Sequence, residues 1–211
     1  MTLEPLTPER RRQQTRDHLL QAAAEVFAAR GFHGASLDEV AAKAGFTKGA
    51  VYSNFKNKEE LFLALLEAIQ QREMDALHTT IQASEIPPEA RLSDFVNLIR
   101  DQTQDLGANW DILYQEFTLY ALRNPAAREK LAAFDAMTIR SVSDLIESER
   151  SRQSIGTLEH PEHVARIVVA LFRGIGLMRA LDAALVDASF LETAMAFLAR
   201  GLMTAETPSP L

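Results

Sequence analysis

The 211-residue chain reads as an all-α protein. Three observations predict that fold class. Apolar residues recur at helical spacing, as in Leu19, Ala23, Val26 and Phe27 and again in Leu61, Phe62, Leu65, Leu66 and Ile69. No stretch alternates apolar and polar residues as a half-buried strand does. Residues that cap helix starts stand ahead of the apolar runs, and glycine or a turn cluster stands after them. Hydrophobic residues make up 47% of the chain, enough for a sizeable core.

Taken in order, Thr7 caps a first helix. Pro8 follows at the first position, where its missing N–H costs nothing, and Glu9 faces the positive end of the helix dipole. Gly31 ends that helix. The run "SLDE" from Ser36 to Glu39 has the spacing of a capping box and starts a short second helix that ends near Ala44 and Gly45. Thr47 caps a third helix, roughly 48–55, and Asn57, with Glu60 three residues on, caps a long fourth running towards Ala83. The second and third helices, joined by the tight turn at Ala44–Phe46, form a helix-turn-helix arrangement; where such a motif binds DNA its second helix lies in the major groove, and the same geometry also occurs in modules that do not bind DNA. Beyond Pro87 and Pro88, helices are expected over about 89–105, 109–123, 126–152, 161–182 and 189–204, punctuated by Gly107, Asn124–Pro125, Gly156 and a loop near Asp187. The expected division is residues 1–57, residues 58–206 and a disordered tail, 207–211.

Composition narrows the function. There are no cysteines, which excludes disulfides, thiol catalysis and thiolate metal sites and fits a reducing cytoplasm. The first residues hold no apolar run resembling a signal peptide, and the longest greasy segment, 164–186, is broken by Arg173 and Arg179, so no membrane partner is expected. No nucleophile–base constellation, phosphate loop or cofactor fingerprint stands out, so neither an enzyme nor a cofactor is expected. "HPEH", His160–His163, lacks a third metal ligand and opens a helix at Pro161. The formal charge of −7 is uneven: residues 1–60 hold nine Lys/Arg against eight Asp/Glu, so the acidity lies in the rest. Such asymmetry hints that one end meets an anion.

"TKGAVYSNFKNKEEL", Thr47–Leu61, is the stretch whose chemistry suits DNA. Gly49 and Ala50 allow close backbone approach, Tyr52 and Asn54 offer hydrogen bonds from successive turns, and asparagine pairs with adenine in bidentate fashion. Thr47 and Ser36 sit at helix starts, whose free N–H groups favour phosphate, and Lys48 and Lys58 bracket the third helix. Residue types alone leave a second reading equally open, in which Thr47, Ser36 and Asn57 are only caps and the lysines are solvated.

The run from Ala22 to Glu67 closely resembles the DNA-binding domain of the tetracycline-repressor (TetR) family. The matching elements are F-x-x-x-G-F-x-G from Phe27 to Gly34, "VAAKAG" from Val40 to Gly45, and the Thr47–Leu61 stretch itself. The rest of the chain resembles the family in architecture only. The resemblance implies a homodimeric, all-helical transcription regulator with an N-terminal three-helix DNA-binding domain and a C-terminal domain that dimerises and senses a ligand. Its partners would be double-stranded operator DNA, a second copy of the chain, and a small hydrophobic or amphipathic effector. Carried over by position, recognition-helix contacts fall on Lys48, Gly49, Ala50, Tyr52, Ser53 and Asn54, and phosphate contacts on Ser36, Thr47, Tyr52 and Lys58. Many members have histidine where this chain has Asn54. Arg10, Arg11, Arg12 and Arg16 resemble the basic start of many members.

In the body, Val164, Ile167, Val168, Leu171, Ile175 and Met178 form one apolar stripe, and Leu191, Met195, Leu198 and Leu202 another. The resemblance places both helices at a subunit interface, with Gly174 and Gly176 permitting close crossing; a core within one subunit is the other reading. Among the middle helices, Phe95, Trp110, Tyr114, Phe117, Phe134, Met137 and Phe172 are the expected lining of an effector pocket. Glu116, Arg100 and Arg140 are candidates to orient a ligand or to form surface ion pairs.

Overall fold

The computed structural model describes residues 7–82, 107–151 and 160–203. Among the described residues the regular elements are all helical: α1 (Pro8–Gly34), α2 (Leu37–Ala44), α3 (Lys48–Asn54), α4 (Lys58–Gln82), α5 (Gly107–Arg123), α6 (Pro125–Ser151), α7 (Pro161–Leu181), a 3-10 turn (Ala183–Leu185) and α8 (Ala188–Met203). The expected helix at 89–105, Phe95, Gly156 and the tail at 207–211 lie outside the described residues.

The local signals act as their chemistry demands. Thr7 Oγ1 accepts from the Arg10 N–H at 3.3 Å at the start of α1. At Gly31 the backbone leaves the helix (φ 69°, ψ 170°), and one more turn continues to Gly34 in a new direction. That conformation is essentially restricted to glycine. The capping box on α2 is complete: the Glu39 N–H donates to Ser36 Oγ at 3.2 Å, and the Ser36 N–H donates to Glu39 Oε2 at 3.0 Å. Gly45 closes α2 in the left-handed region (φ 71°, ψ 23°), and the Phe46 N–H reaches back to the Ala41 carbonyl at 3.0 Å. Thr47 Oγ1 accepts from the Ala50 N–H at 3.3 Å. The third helix stops at Asn54, one residue earlier than expected, because Phe55 turns extended and buries its ring in the core. Asn57 Oδ1 accepts from the Glu60 N–H at 2.8 Å at the start of α4.

One core runs through both ends of the chain. Phe32 is its hub, with ring centroids 4.9–5.1 Å from Phe62, Phe117 and Tyr120. Leu19, Phe27, Val40, Val51 and Phe55 of the first three helices join the same cluster as Leu131 and Phe134 of α6. The expected division at residue 57 therefore runs between elements that share a core. Phe117, expected to line a ligand pocket, is a fully buried member of that core and touches protein on all sides.

Two part-buried ion pairs tie α7 to its neighbours. Arg173 holds Asp135 of α6 with two contacts, at 2.6 and 3.1 Å, while its guanidinium lies 4.6 Å from the Tyr114 ring and the Tyr114 hydroxyl donates to Asp135 at 2.9 Å. Burial pushes the Tyr114 hydroxyl well above its ordinary range. Arg179 donates to Asp111 of α5 at 2.5 Å, and Gly176 gives Asp111 its room, since a Cβ there would lie 2.4 Å from Asp111 Oδ1. Gly176 thus serves packing within the subunit.

The expected interface stripe divides into two faces. Ile175 and Leu191 are buried inside the subunit with Val186, and Leu171 and Leu198 pack on them, so these four are core residues. The physical reason is register: α7 turns one side of its broad apolar stripe to α8 and the other outward. Ile167 and Met178 stay exposed, joined by Leu177, Leu181 at 78% exposure and, on α8, Phe197 at 72%. Val164 and Val168 are half-buried, and the side chains of Met195 and Leu202 lie outside the described residues.

Candidate nucleic-acid interface

α3 is anchored by one buried side chain, Val51. Its other residues face out. Thr47, Lys48, Gly49, Tyr52 and Ser53 are exposed, Tyr52 at 55%, and Ala50 is half-buried. Gly49 has ordinary helical backbone, and a Cβ there would meet only Thr47 Oγ1, at 3.8 Å. Nothing inside the fold requires glycine at a helix position where alanine is more favourable by about 1 kcal/mol. Without a side chain, this exposed position leaves room for an outside surface to come close to the backbone.

An open groove runs from the start of α2, Ser36–Asp38, past Tyr52 to the start of α4, Lys56–Lys58. Two helix N-termini face it, and free N–H groups with the helix dipole favour phosphate there. Lys56 is exposed on its wall. Its charge next to Asn57 was the sequence signal for it, overshadowed by Lys58. Arg16 of α1 stacks over the Phe55 ring at 4.5 Å, while Arg10, Arg11 and Arg12 lie exposed along the first turns of α1.

Three of the expected contacts donate hydrogen bonds to carbonyls within the fold. The Lys58 ammonium donates to the carbonyls of His33 at 2.9 Å and Ala35 at 3.0 Å and lies 4.9 Å from the Phe32 ring centroid. Burial lowers its pKa. It ties the end of α1 to the start of α4, and that use commits two of its three donors. The Asn54 amide donates to the Ala50 carbonyl at 2.8 Å, and Ser53 Oγ donates to the same carbonyl at 2.9 Å. Both side chains fold back on α3, so pairing with a base requires a rotamer change at each. Ser36 and Thr47 spend their hydroxyls as caps, which leaves them at helix ends that present N–H groups. Lys48 is paired with Asp38 at 2.5 Å, and that carboxylate raises its pKa. Asp38 is absent from the sequence-based set, because an acidic residue in a first helical turn reads as a dipole partner.

Of the expected effector-pocket residues, Trp110 is half-buried and stacks on Phe62 at 6.1 Å, Tyr114 is engaged by Asp135 and Arg173, and Phe134 is 9% exposed. Phe172 packs against the smaller cluster of α7 and α8. Met137 is 44% exposed on α6. Glu116 accepts from the Phe32 N–H at 2.6 Å and so belongs to the junction of head and body.

Residues 19–65 match the family model described as bacterial regulatory proteins, tetR family. Over those residues the chain is similar to the helix-turn-helix domain of the tetR family. It is 47% identical over 66 residues to the HTH-type transcriptional activator FasR of Mycolicibacterium smegmatis, covering 31% of this chain and 28% of that protein. It is 44% identical over 55 residues to the HTH-type transcriptional regulator AcrR of Shigella flexneri, covering 26% of each. These alignments span only about a quarter of either relative, so they speak for the head of this chain alone. Likeness to solved structures extends over the body. The reduced form of Escherichia coli NemR superposes with a TM-score of 0.69 at 22% identity, covering 92% of this chain and 100% of that one. Bacillus subtilis FadR in complex with stearoyl-CoA superposes with a TM-score of 0.66 at 17% identity, covering 90% and 98%. At these identities the fold of the body is what is shared. The head is thus similar to those of tetR-family transcriptional regulators, and no helix among the described residues is long and apolar enough to cross a membrane.

Proposed function

We propose that this chain is a tetR-family regulator that binds an inverted-repeat operator as a homodimer, represses transcription there, and is released by a small organic effector bound in its body. The observation that carries the DNA-binding part is the outward face of α3: Lys48, Gly49 and Tyr52 are exposed, and Gly49 has no role inside the fold. Ser36, Thr47, Ala50, Ser53 and Asn54 complete the proposed contact surface, with Lys56 in the groove between α2 and α4. In this reading, residues 1–57 form the head and 58–206 the sensing and dimerising body, and the protein works in the cytoplasm, where its operator is.

The exposed apolar side chains of α7 and α8, Ile167, Leu177, Met178, Leu181 and Phe197, support a dimer through that face. A two-fold dimer would place its two reading helices about 34–36 Å apart, one turn of DNA. An effector among Trp110, Tyr114, Phe134 and Phe172 acts on DNA only if its binding favours a different head spacing, a coupling of typically 1–3 kcal/mol. Glu116 and Phe32 form a direct route, because α5 grips α1 at its bend. FasR is named an activator, so activation is the second reading of the sign.

The test is selection of random duplex DNA by the purified full chain at ~0.15 M salt, together with sedimentation of the free protein. Enrichment of an inverted repeat and a dimeric mass are the expected results. A folded dimer that enriches no sequence would overturn the DNA-binding part, and a monomer that binds a single half-site would overturn the dimer.

A further inference from the structure

Lys58, the first residue of α4, lines the groove between α2 and α4. Among the described residues no carboxylate pairs with it; its ammonium donates to the carbonyls of His33, at 2.9 Å, and Ala35, at 3.0 Å. An ammonium carries three donors, so one is left. Fixing two donors of a tetrahedral group fixes the direction of the third, and that direction therefore depends on where the two carbonyls stand. Both belong to the short turn Gly31–Ala35, and α5 holds that turn. Glu116 accepts from the Phe32 N–H at 2.6 Å, one residue ahead of His33. Gly31 admits the carboxylate, since a Cβ there would lie 2.8 Å from Glu116 Oε2. The Phe32 ring meets Phe117 and Tyr120 of the same helix. α5 also holds the other end of the span, because the Tyr120 hydroxyl donates to Glu59, the neighbour of Lys58 at the start of α4. One five-residue turn is thus gripped by Glu116 from the body and by Lys58 from the groove.

Resting on the reading of the head as a DNA binder, we propose that Glu116 is a positioning residue for that function: through the Gly31–Ala35 turn it aims the remaining donor of Lys58 at a backbone phosphate of the operator. Glu116 does not touch DNA in this arrangement. By charge alone a carboxylate opposes a polyanion, so its contribution lies in where it holds the Phe32 N–H and, with it, the carbonyls of His33 and Ala35. A movement of the body that withdraws α5 releases the Phe32 N–H, shifts the two carbonyls and turns Lys58 away from its phosphate. Each subunit then loses one phosphate contact while α3 keeps its own structure. The proposed effector gains a means of weakening DNA binding at the head–body junction itself.

The test is the salt dependence of affinity for the duplex that the wild-type chain enriches by selection. Each phosphate contact contributes about 0.9 to the slope of log affinity against log salt, so one contact per subunit of a dimer contributes about 1.8. Lys58→Met should make the slope shallower by about that amount. Glu116→Ala, checked as a folded dimer by circular dichroism and sedimentation, should do the same although it removes an acidic charge. Glu116→Gln, whose amide oxygen still accepts from the Phe32 N–H, should keep the wild-type slope, and Glu116→Ala should add nothing on the Lys58→Met background. An unchanged slope in Lys58→Met means that Lys58 meets no phosphate, and the proposal falls. It falls too if Glu116→Ala lowers affinity at an unchanged slope, the mark of a merely structural role. Should Glu116→Ala fail to fold, amide hydrogen exchange decides. Saturating duplex should slow exchange at Phe32 in the wild-type chain and not in Lys58→Met; the same response in both overturns the proposal. A folded, dimeric wild-type chain that enriches no duplex refutes the reading of the head itself and takes this proposal with it, an outcome distinct from the others.

Discussion

Replacing Gly31 by alanine tests how tightly the head is locked to the body. Gly31 stands at φ 69° and ψ 170°, a conformation that costs a non-glycine residue roughly 1–3 kcal/mol. An added Cβ would also lie 2.8 and 2.9 Å from the two carboxylate oxygens of Glu116, closer than such contacts allow. The carboxylate can withdraw only by giving up the 2.6 Å hydrogen bond from the Phe32 N–H. A hydrogen bond to a charged group contributes about 1.5–3 kcal/mol. Gly31→Ala alone should therefore cost about 2.5–6 kcal/mol, the sum of backbone strain and the lost bond. Glu116→Ala alone should cost about 1.5–3 kcal/mol, the bond only. In the double variant the bond is lost once, so Glu116→Ala should add almost nothing on the Gly31→Ala background. Urea unfolding of the four proteins followed by circular dichroism measures this cycle. Additive costs, with Glu116→Ala as damaging in the second background as in the first, would refute the claim that the bend of α1 and the carboxylate of α5 share one space.

Three further outcomes follow from the same geometry. Gly49→Ala should leave the fold as stable as before or more stable by up to about 1 kcal/mol, while lowering affinity for selected DNA in an anisotropy titration; unchanged binding would remove the argument for close backbone approach. Ile175→Ala should lower unfolding stability by about 2–4 kcal/mol at fixed protein concentration, whereas Leu181→Ser, at 78% exposure, should shift the sedimentation equilibrium towards monomer with little change in unfolding of the subunit. Asp111 is pushed upward by burial, which outweighs the pull of Arg179. The folded state therefore binds its proton more tightly than the unfolded chain. The stability this group contributes is fully present below its ordinary value of 3.8 and is lost as the pH rises through the raised one. Urea midpoints across that acid range should fall with rising pH less steeply in Asp111→Asn than in the wild-type chain; identical pH slopes would contradict the upward shift.

Local chemistry made the head legible. Thr7, Ser36, Thr47 and Asn57 cap helices because their side chains reach N–H groups two or three residues away, a distance set by the backbone alone. Gly31 and Gly45 mark breaks for the same reason, since their positive φ angles favour glycine. The sequence by itself thus determined the order of the helices within the described residues and the helix-turn-helix. What it left undetermined were contacts between residues far apart in the chain. That Phe117 belongs to the core shared with Phe32, that Lys58 ties down the carbonyls of His33 and Ala35, and that Gly176 makes room for Asp111 depend on how helices cross. The apolar stripe of α7 is a further case: periodicity shows a side as apolar but not whether α8 or solvent covers it, and only packing separates buried Ile175 from exposed Leu181. Asp38 and Lys48 are ten residues apart on different helices, and it is the tight turn between α2 and α3 that brings their charges to 2.5 Å.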